Sequence, residues 1–402
     1  MIGDGWDGEP SVRPGEYAEP LSAPSAGTKR VLAITGSRAD FGLLVPVLRE
    51  IETKPGLELV VVAAGSHLVT PALTYRDVKK LFHVADAAIM QTPGRTTRLD
   101  DAEATGRGVH RFARIYRRLQ PTWVLLLGDR IEAFAAASAA AIAGIPIAHI
   151  HGGDRAEGVA DESLRHAITK LAHVHLAATV ASAQRIVRMG ERPETVHIVG
   201  SPAIDGLSRV QPMSDEVSRS FGDPDTLLLM HPIGRPAEHE EASVSGVIDA
   251  LSGRRVLALD PNLDPGRDGI MRALETGSGS TIVHRAAHME RPLFLSLLKR
   301  LAVAGGLIVG NSSAALIEGA ALKLPAVNVG PRQAGRERPP NVVDAPSETT
   351  HEVRQAIQLA MTIDREALTH PYGDGQSGAR IADLLAQAPL PDERTLRKRN
   401  AY

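Results

Sequence analysis

Short apolar runs rich in β-branched residues alternate with amphipathic stretches along most of this chain. The runs of the first half lie at residues 30–35, 57–64, 122–127, 145–150, 175–178 and 196–199. Those of the second half lie at residues 226–230, 255–259, 281–284, 307–309 and 325–329. Between them, helices are predicted at residues 42–52, at 164–176 and, rich in alanine, after residue 130. The alternation predicts βαβ units, and therefore an α/β protein built on parallel sheets.

The length of 402 residues exceeds what one hydrophobic core usually supports. We expect two similar doubly wound domains that face each other across a cleft, an N-terminal one over residues 29–205 and a C-terminal one over residues 206–388. Residues 1–28 are rich in Gly, Pro, Glu and Ser and predict a disordered tail. Residues 389–402, with two prolines and a basic cluster, predict a flexible tail.

Composition excludes several classes of function. The formal net charge is −2 and aromatic residues make up 3% of the chain, which disfavours a nucleic-acid partner. The absence of cysteine excludes disulfides, cysteine metal sites and a thiol nucleophile. The first residues lack the apolar core of a signal peptide, and the apolar runs are too short or too alanine-rich to span a bilayer. We therefore expect a cytoplasmic protein without a membrane partner.

The densest cluster of charge follows the run at residues 145–150. A glycine pair opens residues 152–165, and four acidic residues and two arginines follow it. Ligands of open parallel sheets bind at the carboxyl ends of strands, so this loop is predicted to be a reaction centre. His149 and His151 precede the glycines and alternate along a strand end, so they are expected to point the same way. Because no third ligand has suitable spacing, no metal site is expected.

Two further turns of the first half carry candidate chemistry. The first strand ends at Gly36, and Arg38 and Asp40 follow as candidate substrate-binding residues at a helix start that favours anions. The turn is not a dinucleotide fingerprint, so no nicotinamide cofactor is expected, and an ordinary turn with a solvated arginine is the alternative. Asp129 and Arg130 end another strand as a candidate acid or base with a neighbouring cation. The alternative there is an Asp–Arg pair that holds the loop.

In the second half, Ser312 and Ser313 stand at a predicted helix start after a glycine, where hydroxyls and amides form a phosphate cradle. Glu318 follows within the helix as a candidate acceptor for a ribose diol. The alternative is helix capping by Ser312, with Glu318 favouring the helix dipole. His231 and Arg332 each follow a strand and suit a diphosphate, although either side chain could simply be packed or solvated.

Taken in order, these segments resemble the UDP-N-acetylglucosamine 2-epimerases, and most closely their hydrolysing branch, which makes N-acetylmannosamine for sialic acid pathways. The resemblance covers residues 29–385. The segments that carry it are Gly36-Ser37-Arg38-Ala39-Asp40-Phe41-Gly42, Gly65-Ser66-His67-Leu68, Gly128-Asp129-Arg130, His149-Ile150-His151-Gly152-Gly153, Ser163-Leu164-Arg165-His166-Ala167-Ile168-Thr169-Lys170, Gly310-Asn311-Ser312-Ser313, Gly330-Pro331-Arg332-Gln333 and Tyr372-Gly373-Asp374-Gly375.

The resemblance implies a glycosyltransferase-B-like fold of two Rossmann-like domains, with a UDP-sugar substrate in the cleft and no cofactor. It implies loss of a proton from the carbon that bears the acetamido group, anti elimination of UDP, and addition of water to the resulting glycal. It also implies a homodimer or a homotetramer. Carried over residue by residue, the nucleotide diphosphate is held by Arg38, His231, Ser312, Ser313 and Arg332, with Glu318 on the ribose and Asn262 near the nucleotide.

On the sugar side, the resemblance makes Asp129 and Asp161 catalytic acids and places Arg165 and His67 beside the sugar. This chain departs from some members of the family in two ways. It has His151 where they carry a catalytic glutamate, so His151, Asp154 or Glu162 could move the second proton; and it has Leu43 in place of a lysine. The alternatives to a hydrolysing enzyme are a non-hydrolysing epimerase that returns UDP to the glycal, and a nucleotide-sugar-binding protein with altered or lost chemistry.

Overall fold

A computed structural model describes residues 20–70, 72–93, 97–156, 161–261, 266–277 and 282–389, together with residues 396, 398 and 401. The predicted tails therefore lie largely outside the described residues. The chain forms two compact units. Unit 1 holds the residues up to Asp154, Asp161–Asp205 and the residues from Gln376 onward, and unit 2 holds Gly206–Gly375 together with residues 155–160.

Unit 1 contains a seven-stranded sheet in the order β3-β2-β1-β4-β5-β6-β7, and all of its strand pairs are parallel. Its strands are β1 (Lys29–Thr35), β2 (Leu57–Ala64), β3 (Val84–Ala88), β4 (Trp123–Leu127), β5 (Ile147–Ile150), β6 (Val174–Ala177) and β7 (Val196–Ile198). Its helices are α1 (Arg38–Thr53), α2 (Tyr75–Leu81), α3 (Arg98–Leu119), α4 (Ile131–Ala143), α5 (Asp161–Leu171) and α6 (Val180–Arg188).

The surroundings of β1 explain why its residues are apolar on both faces rather than alternating between apolar and polar. Val31 and Ala33 belong to one hydrophobic core cluster, and Leu32 and Ile34 belong to another. Successive side chains of a strand point to opposite faces, so this sheet is covered by apolar groups on both sides, as all-parallel sheets usually are.

Unit 2 repeats the plan with a six-stranded parallel sheet in the order β10-β9-β8-β11-β12-β13. Its strands are β8 (Thr226–Leu229), β9 (Arg255–Leu259), β10 (Ile282–Ala286), β11 (Leu307–Gly310), β12 (Ala326–Val329) and β13 (Val342–Ala345). Its helices are α7 (Asp215–Ser220), α8 (Ala237–Ala250), α9 (Arg267–Thr276), α10 (Arg291–Ala304), α11 (Ser313–Leu316), α12 (Glu318–Ala321) and α13 (Thr350–Met361).

Strand order locates the ligand-binding edge of each unit. In unit 1 the strands build outward from β1 in one direction and then from β4 in the other, so the order reverses between β1 and β4. In unit 2 the same reversal falls between β8 and β11. Ligands of open α/β sheets bind at such switch points, beyond the carboxyl ends of the strands. Topology therefore selects the turns after Thr35 and Leu127 in unit 1 and after Leu229 and Gly310 in unit 2.

The end of the second unit departs from the predicted division at residue 388. The final helix, α14 (Ser377–Gln387), belongs to unit 1 and packs on α1. Ile381 and Leu385 are fully buried in the same core cluster as Leu44. The Lys29 ammonium donates hydrogen bonds of 3.2 and 2.7 Å to the carbonyl oxygens of Leu385 and Ala386. The prediction of one continuous C-terminal domain was wrong because sequence order carries no sign of this return.

Several predicted elements also change. The first helix begins at Arg38 rather than near residue 42, because Ser37 and Asp40 form a capping box. The helix predicted to reach residue 176 ends at Leu171, since β6 begins at Val174. The strands β3 and β13 were not predicted; both are short sheet edges with small or polar residues. No helix within the described ranges is both long and apolar enough to cross a membrane.

Candidate active site

The acid and base candidates of unit 1 meet at the carboxyl ends of β4 and β5. Asp129 follows β4, and its carboxylate forms an ion pair with the guanidinium of Arg165 on α5. Arg165 is buried, and its Nη1 also donates a 3.2 Å hydrogen bond to the carbonyl oxygen of His151. Arg130, the neighbour considered for this pair, instead lies with Nε 3.4 Å from Oε2 of Glu132. The described partner of Asp129 thus comes from another element, 36 residues away in sequence.

His151 leaves the strand that precedes it. The strand β5 ends at Ile150, and His151 has φ of 62°, in the left-handed region. Its buried ring has Nδ1 2.7 Å from Oδ2 of Asp154 and Nε2 3.0 Å from Oγ of Ser201. Asp154 also accepts a 2.7 Å hydrogen bond from the hydroxyl of Ser182. The expectation that His149 and His151 point the same way was therefore wrong.

His149 belongs to the interior of the sheet. Its ring is fully buried, and Nε2 lies 2.7 Å from the carbonyl oxygen of Gly128. Burial lowers the pKa of His149 to about 3, so the ring is neutral at physiological pH and Nε2–H donates to Gly128. This hydrogen bond ties the end of β5 to the turn that carries Asp129. In the part of the chain that the structure describes, no group of three His, Cys, Asp or Glu side chains could hold a metal ion.

Three further candidates, Glu162, Asp161 and Asn262, differ in how much of them the structure describes. Glu162 is partly exposed on the first turn of α5, with Oε1 3.5 Å from Nε2 of His166. Asp161 begins α5, but its side chain lies outside what the structure describes. Asn262 also falls outside the described residues. The roles assigned to these three side chains stay predictions.

Hydrogen bonds of Asp40 and His67 hold the turn after β1. Asp40 accepts 2.8 Å hydrogen bonds from the backbone amides of Gly36 and Ser37. His67 is fully buried, with Nε2 2.9 Å from Oγ1 of Thr35 and Nδ1 2.6 Å from Oγ1 of Thr74. Burial lowers the pKa of His67, against the raising effect of Asp40. Asp40 and His67 therefore fix the shape of the turn.

Sequence reasoning missed a buried acid beneath this edge, Glu132. Its Oε1 accepts a 2.6 Å hydrogen bond from Nε2 of Gln91. A Cβ atom at Gly36 would lie 2.9 Å from its Cδ, and one at Gly65 would lie 2.2 Å from its Oε1. The glycines that end β1 and β2 are therefore required by close packing against this carboxylate. Its position two residues after the Asp129-Arg130 motif is the only signal in the sequence.

In unit 2, Asn311 joins the predicted cationic residues. The amide of His231 donates to Oδ1 of Asn311, and Nδ2 of Asn311 donates back to the carbonyl oxygen of His231, both at 2.8 Å. Nη1 of Arg332 and Nε2 of Gln333 donate to the carbonyl oxygen of Asn311 at 3.1 and 2.9 Å. Burial, and then the charge of Arg332, lower the pKa of His231 to about 3. The candidates after β8, β11 and β12 thus lie at one edge of the sheet.

The serine turn contains a break that the sequence did not suggest. Ser312 caps α11 by accepting a 3.4 Å hydrogen bond from the amide of Ala314. The helix ends at Leu316, and Glu318 begins a second short helix, α12. The buried carboxylate of Glu318 accepts a 2.9 Å hydrogen bond from Nη1 of Arg291. Capping by Ser312 is therefore present, and Arg291 is a further residue that sequence reasoning missed.

Unit 1 thus offers carboxylates and a buried arginine at its switch point, and unit 2 offers hydroxyls, cations and a carboxylate at its own. The first set suits proton transfer and the second suits a nucleotide diphosphate. A family model described as UDP-N-acetylglucosamine 2-epimerase matches residues 49–386.

Two characterised proteins and one crystal structure extend the comparison. The chain is 34% identical to the hydrolysing UDP-N,N'-diacetylbacillosamine 2-epimerase of Legionella pneumophila, over 93% of this chain and 100% of that protein. It is 32% identical to the UDP-N-acetylglucosamine 2-epimerase of Neisseria meningitidis serogroup B, over 89% and 95% of the two chains. The crystal structure of a UDP-N-acetylglucosamine 2-epimerase from Neisseria meningitidis bound to UDP-N-acetylglucosamine superposes with a TM-score of 0.74 at 18% identity, covering 89% of this chain and 99% of that one.

Proposed function

Because the chain belongs to the UDP-N-acetylglucosamine 2-epimerase family, we propose that it is a hydrolysing 2-epimerase of UDP-N-acetylglucosamine or of a modified UDP-acetamido sugar. Its glycosyltransferase-B-like fold of two Rossmann-like units is the fold of that family. One observation carries the hydrolysing assignment: the 34% identity to the hydrolysing Legionella enzyme extends over the whole length of that protein.

The proposed reaction has two steps. A base removes the proton from C2 of the sugar while the bond between C1 and the phosphate oxygen breaks, giving UDP and a 2-acetamidoglycal. Water then adds across the C1–C2 double bond. Hydroxide is added at C1, and a proton is added at C2 on the face opposite to the one from which the first proton was removed. The products are UDP and the free manno sugar, and no redox change occurs.

The described residues support a division of labour. Asp129 is proposed to exchange a proton, and its partial exposure after β4 and its ion pair with Arg165 support this role. Ser312, Ser313, His231 and Arg332 are proposed to bind the diphosphate, and Arg38 is proposed to join them. Glu318 keeps the role of ribose ligand, with Arg291 holding one of its oxygens. Asp161 is proposed as the second catalytic acid.

The test is proton NMR of the purified protein in deuterated water, with UDP-N-acetylglucosamine and UDP-N,N'-diacetylbacillosamine as separate substrates. We expect free UDP and a free manno sugar that carries deuterium at C2. Formation of a UDP-linked manno sugar would instead identify the non-hydrolysing epimerase. Binding of either UDP-sugar without turnover would identify a nucleotide-sugar-binding protein. Release of no UDP from either substrate overturns the proposal.

The proposal also retains a cytoplasmic homodimer or homotetramer as its setting. Light scattering of the purified protein measures the assembly directly. A monomer that turns over substrate would remove the oligomer from the proposal and leave the chemistry in place.

A further inference from the structure

In the segment that follows β5, a chain of hydrogen bonds links Asp154, His151 and Ser201, and the donor and acceptor of each bond follow from chemistry. The carboxylate of Asp154 can only accept, so Nδ1–H of His151 donates to it across 2.7 Å. The hydroxyl of Ser201 lies 3.0 Å from Nε2 and accepts a 3.3 Å hydrogen bond from the amide of Ala203. With a neutral ring, the Ser201 hydroxyl donates to Nε2 and every group has a partner. The lone pair of His151 is then occupied.

This arrangement is unsuited to a general base. A base needs an available lone pair within reach of the proton that it abstracts. His151 has 5% of its surface exposed, and both ring nitrogens face protein groups of unit 1. Asp154 is 3% exposed, and its two oxygens face His151 and Ser182. Two of the three candidates for the missing glutamate are therefore enclosed in one network.

The backbone of His151 shows what the network holds in place. A φ of 62° is unfavourable for a residue with a Cβ atom, and it persists only where neighbours determine it. In that conformation the carbonyl oxygen of His151 accepts the 3.2 Å hydrogen bond from Nη1 of Arg165. The other terminal nitrogen of Arg165 pairs with Asp129. The ring is anchored on one side of the backbone, and the carbonyl orients the arginine on the other.

The glycines after His151 leave this segment little freedom to adjust. A Cβ atom at Gly152 would lie 2.9 Å from Nδ1 of His149. Gly153 has φ of 73°, and a Cβ atom there would lie 2.5 Å from the carbonyl oxygen of Ser182. Close packing thus fixes the two residues that connect His151 to Asp154.

We propose that the hydrogen-bonded pair of His151 and Asp154 is a positioning unit that orients Arg165 against Asp129, and that His151 does not replace the glutamate as a base. The proposal deepens the proposed function and rests on it only for its kinetic readout. Of the three candidates for the role of the absent glutamate, this leaves Glu162, which is partly exposed on the first turn of α5.

The kinetic test compares His151→Asn with wild type, because asparagine tolerates the left-handed conformation. We expect kcat to fall on the order of 100-fold through misplacement of Arg165, with KM changed much less. Both limbs of the pH profile of kcat/KM are expected to keep their positions. Loss of the acid limb in the variant, or a kcat equal to wild type, overturns the proposal. Ser201→Ala is the matched control, because it keeps the hydrogen bond between His151 and Asp154. We expect its kcat to fall less than about threefold.

A second measurement does not depend on turnover or on the folding of a variant at residue 151. NMR of 15N-histidine-labelled wild type should show one ring whose Nδ1–H is hydrogen-bonded to a carboxylate, and Asp154→Asn should shift that ring. The same variant should also shift the guanidinium nitrogens of Arg165. Histidine ring signals that are unchanged in Asp154→Asn, or an unchanged Arg165 signal, overturn the positioning role. Failure of every UDP-sugar as substrate would instead overturn the proposed function and leave this result standing.

Discussion

Asn311 and His231 are joined by two reciprocal hydrogen bonds of 2.8 Å: Oδ1 of Asn311 accepts from the backbone N–H of His231, and Nδ2 of Asn311 donates to its carbonyl oxygen. The side chain of Asn311 thereby does for the ends of β8 and β11 what a further pair of strand hydrogen bonds would do. It replaces the strand pairing that stops at Gly310 and Leu229. The position of His231 therefore depends on a residue that the sequence analysis treated only as part of the serine turn.

Asn311→Ala should weaken UDP binding and destabilise unit 2. The variant leaves the amide and the carbonyl of His231 without these partners, and each lost partner of a buried group costs about 1–3 kcal/mol. Calorimetric titration with UDP and thermal unfolding measure the two effects. Asn341→Ala is the control, because Asn341 is equally buried but holds the carbonyl oxygens of Ala315 and Leu324. It should lose stability and keep its UDP affinity; equal losses of affinity in the two variants would contradict this prediction.

The ion pair of Asp129 and Arg165 predicts strong coupling between two positions far apart in sequence. Asp129→Asn and Arg165→Gln should each abolish most turnover. Asp129→Asn should destabilise the protein by about 3 kcal/mol, because the charge of the buried Arg165 loses its partner, and Arg165→Gln should cost less, because Asp129 is partly exposed. The double variant should be less destabilised than the sum of the two by at least about 1 kcal/mol. Urea unfolding of the four proteins measures the coupling. Additive losses would show that the two charges do not interact in solution.

Gly65→Ala tests whether the buried Glu132 shapes the turns after β1 and β2. Gly65 and Gly144 both have positive φ, at 56° and 69°, but a Cβ atom at Gly144 meets nothing within 4 Å. Gly144→Ala should therefore cost only the backbone strain, about 1–2 kcal/mol. Gly65→Ala should cost about 1–3 kcal/mol more, because its Cβ atom would lie 2.2 Å from Oε1 of Glu132 and 2.5 Å from the carbonyl oxygen of Gly36. Chemical denaturation of both variants gives the difference, and equal costs would exclude the clash.

Because His149 and His231 are buried as neutral rings, we expect the free energy of unfolding to fall in mild acid. Burial lowers the pKa values of His149 and His231 from the ordinary 6.5 to about 3. Between these values the unfolded chain binds more protons than the folded protein, so their contribution is complete above pH 6.5 and is lost as the pH falls toward 3. Urea unfolding at a series of pH values should show this slope. His149→Gln, which keeps a donor for Gly128, should flatten it, whereas His351→Gln at an exposed position should not.

The sequence predicted the strand ends well because the carboxyl edge of a parallel sheet is fixed by strand order alone. The turns at Asp129, His231 and Ser312 lie at those edges as expected. Which way a side chain points was less predictable. His67 was assigned to the sugar side, yet the hydroxyls of Thr35 and Thr74 enclose its ring, and Thr35 lies 32 residues away in sequence.

The conformation of His151 shows the same limit more sharply. Alternation along a strand predicts a common direction for His149 and His151, but it assumes that the strand continues to residue 151. The strand ends one residue earlier because Asp154 and Ser201 draw the ring of His151 into the interior. Ser201 lies 50 residues further on, so a local pattern could not reveal this contact.

The packing of α14 on the first unit has a consequence for the folding of this protein during its synthesis on the ribosome. The sheet of unit 1 is synthesised first, but the helix that buries Ile381 and Leu385 against Leu44 is synthesised after all of unit 2. Until then, the apolar face of α1 lacks its cover, and a partly folded first unit exposes the kind of surface that chaperones bind. Unit 2 consists of Gly206–Gly375 apart from residues 155–160, so it can complete its core earlier. The half that is made first is thus the half that finishes last.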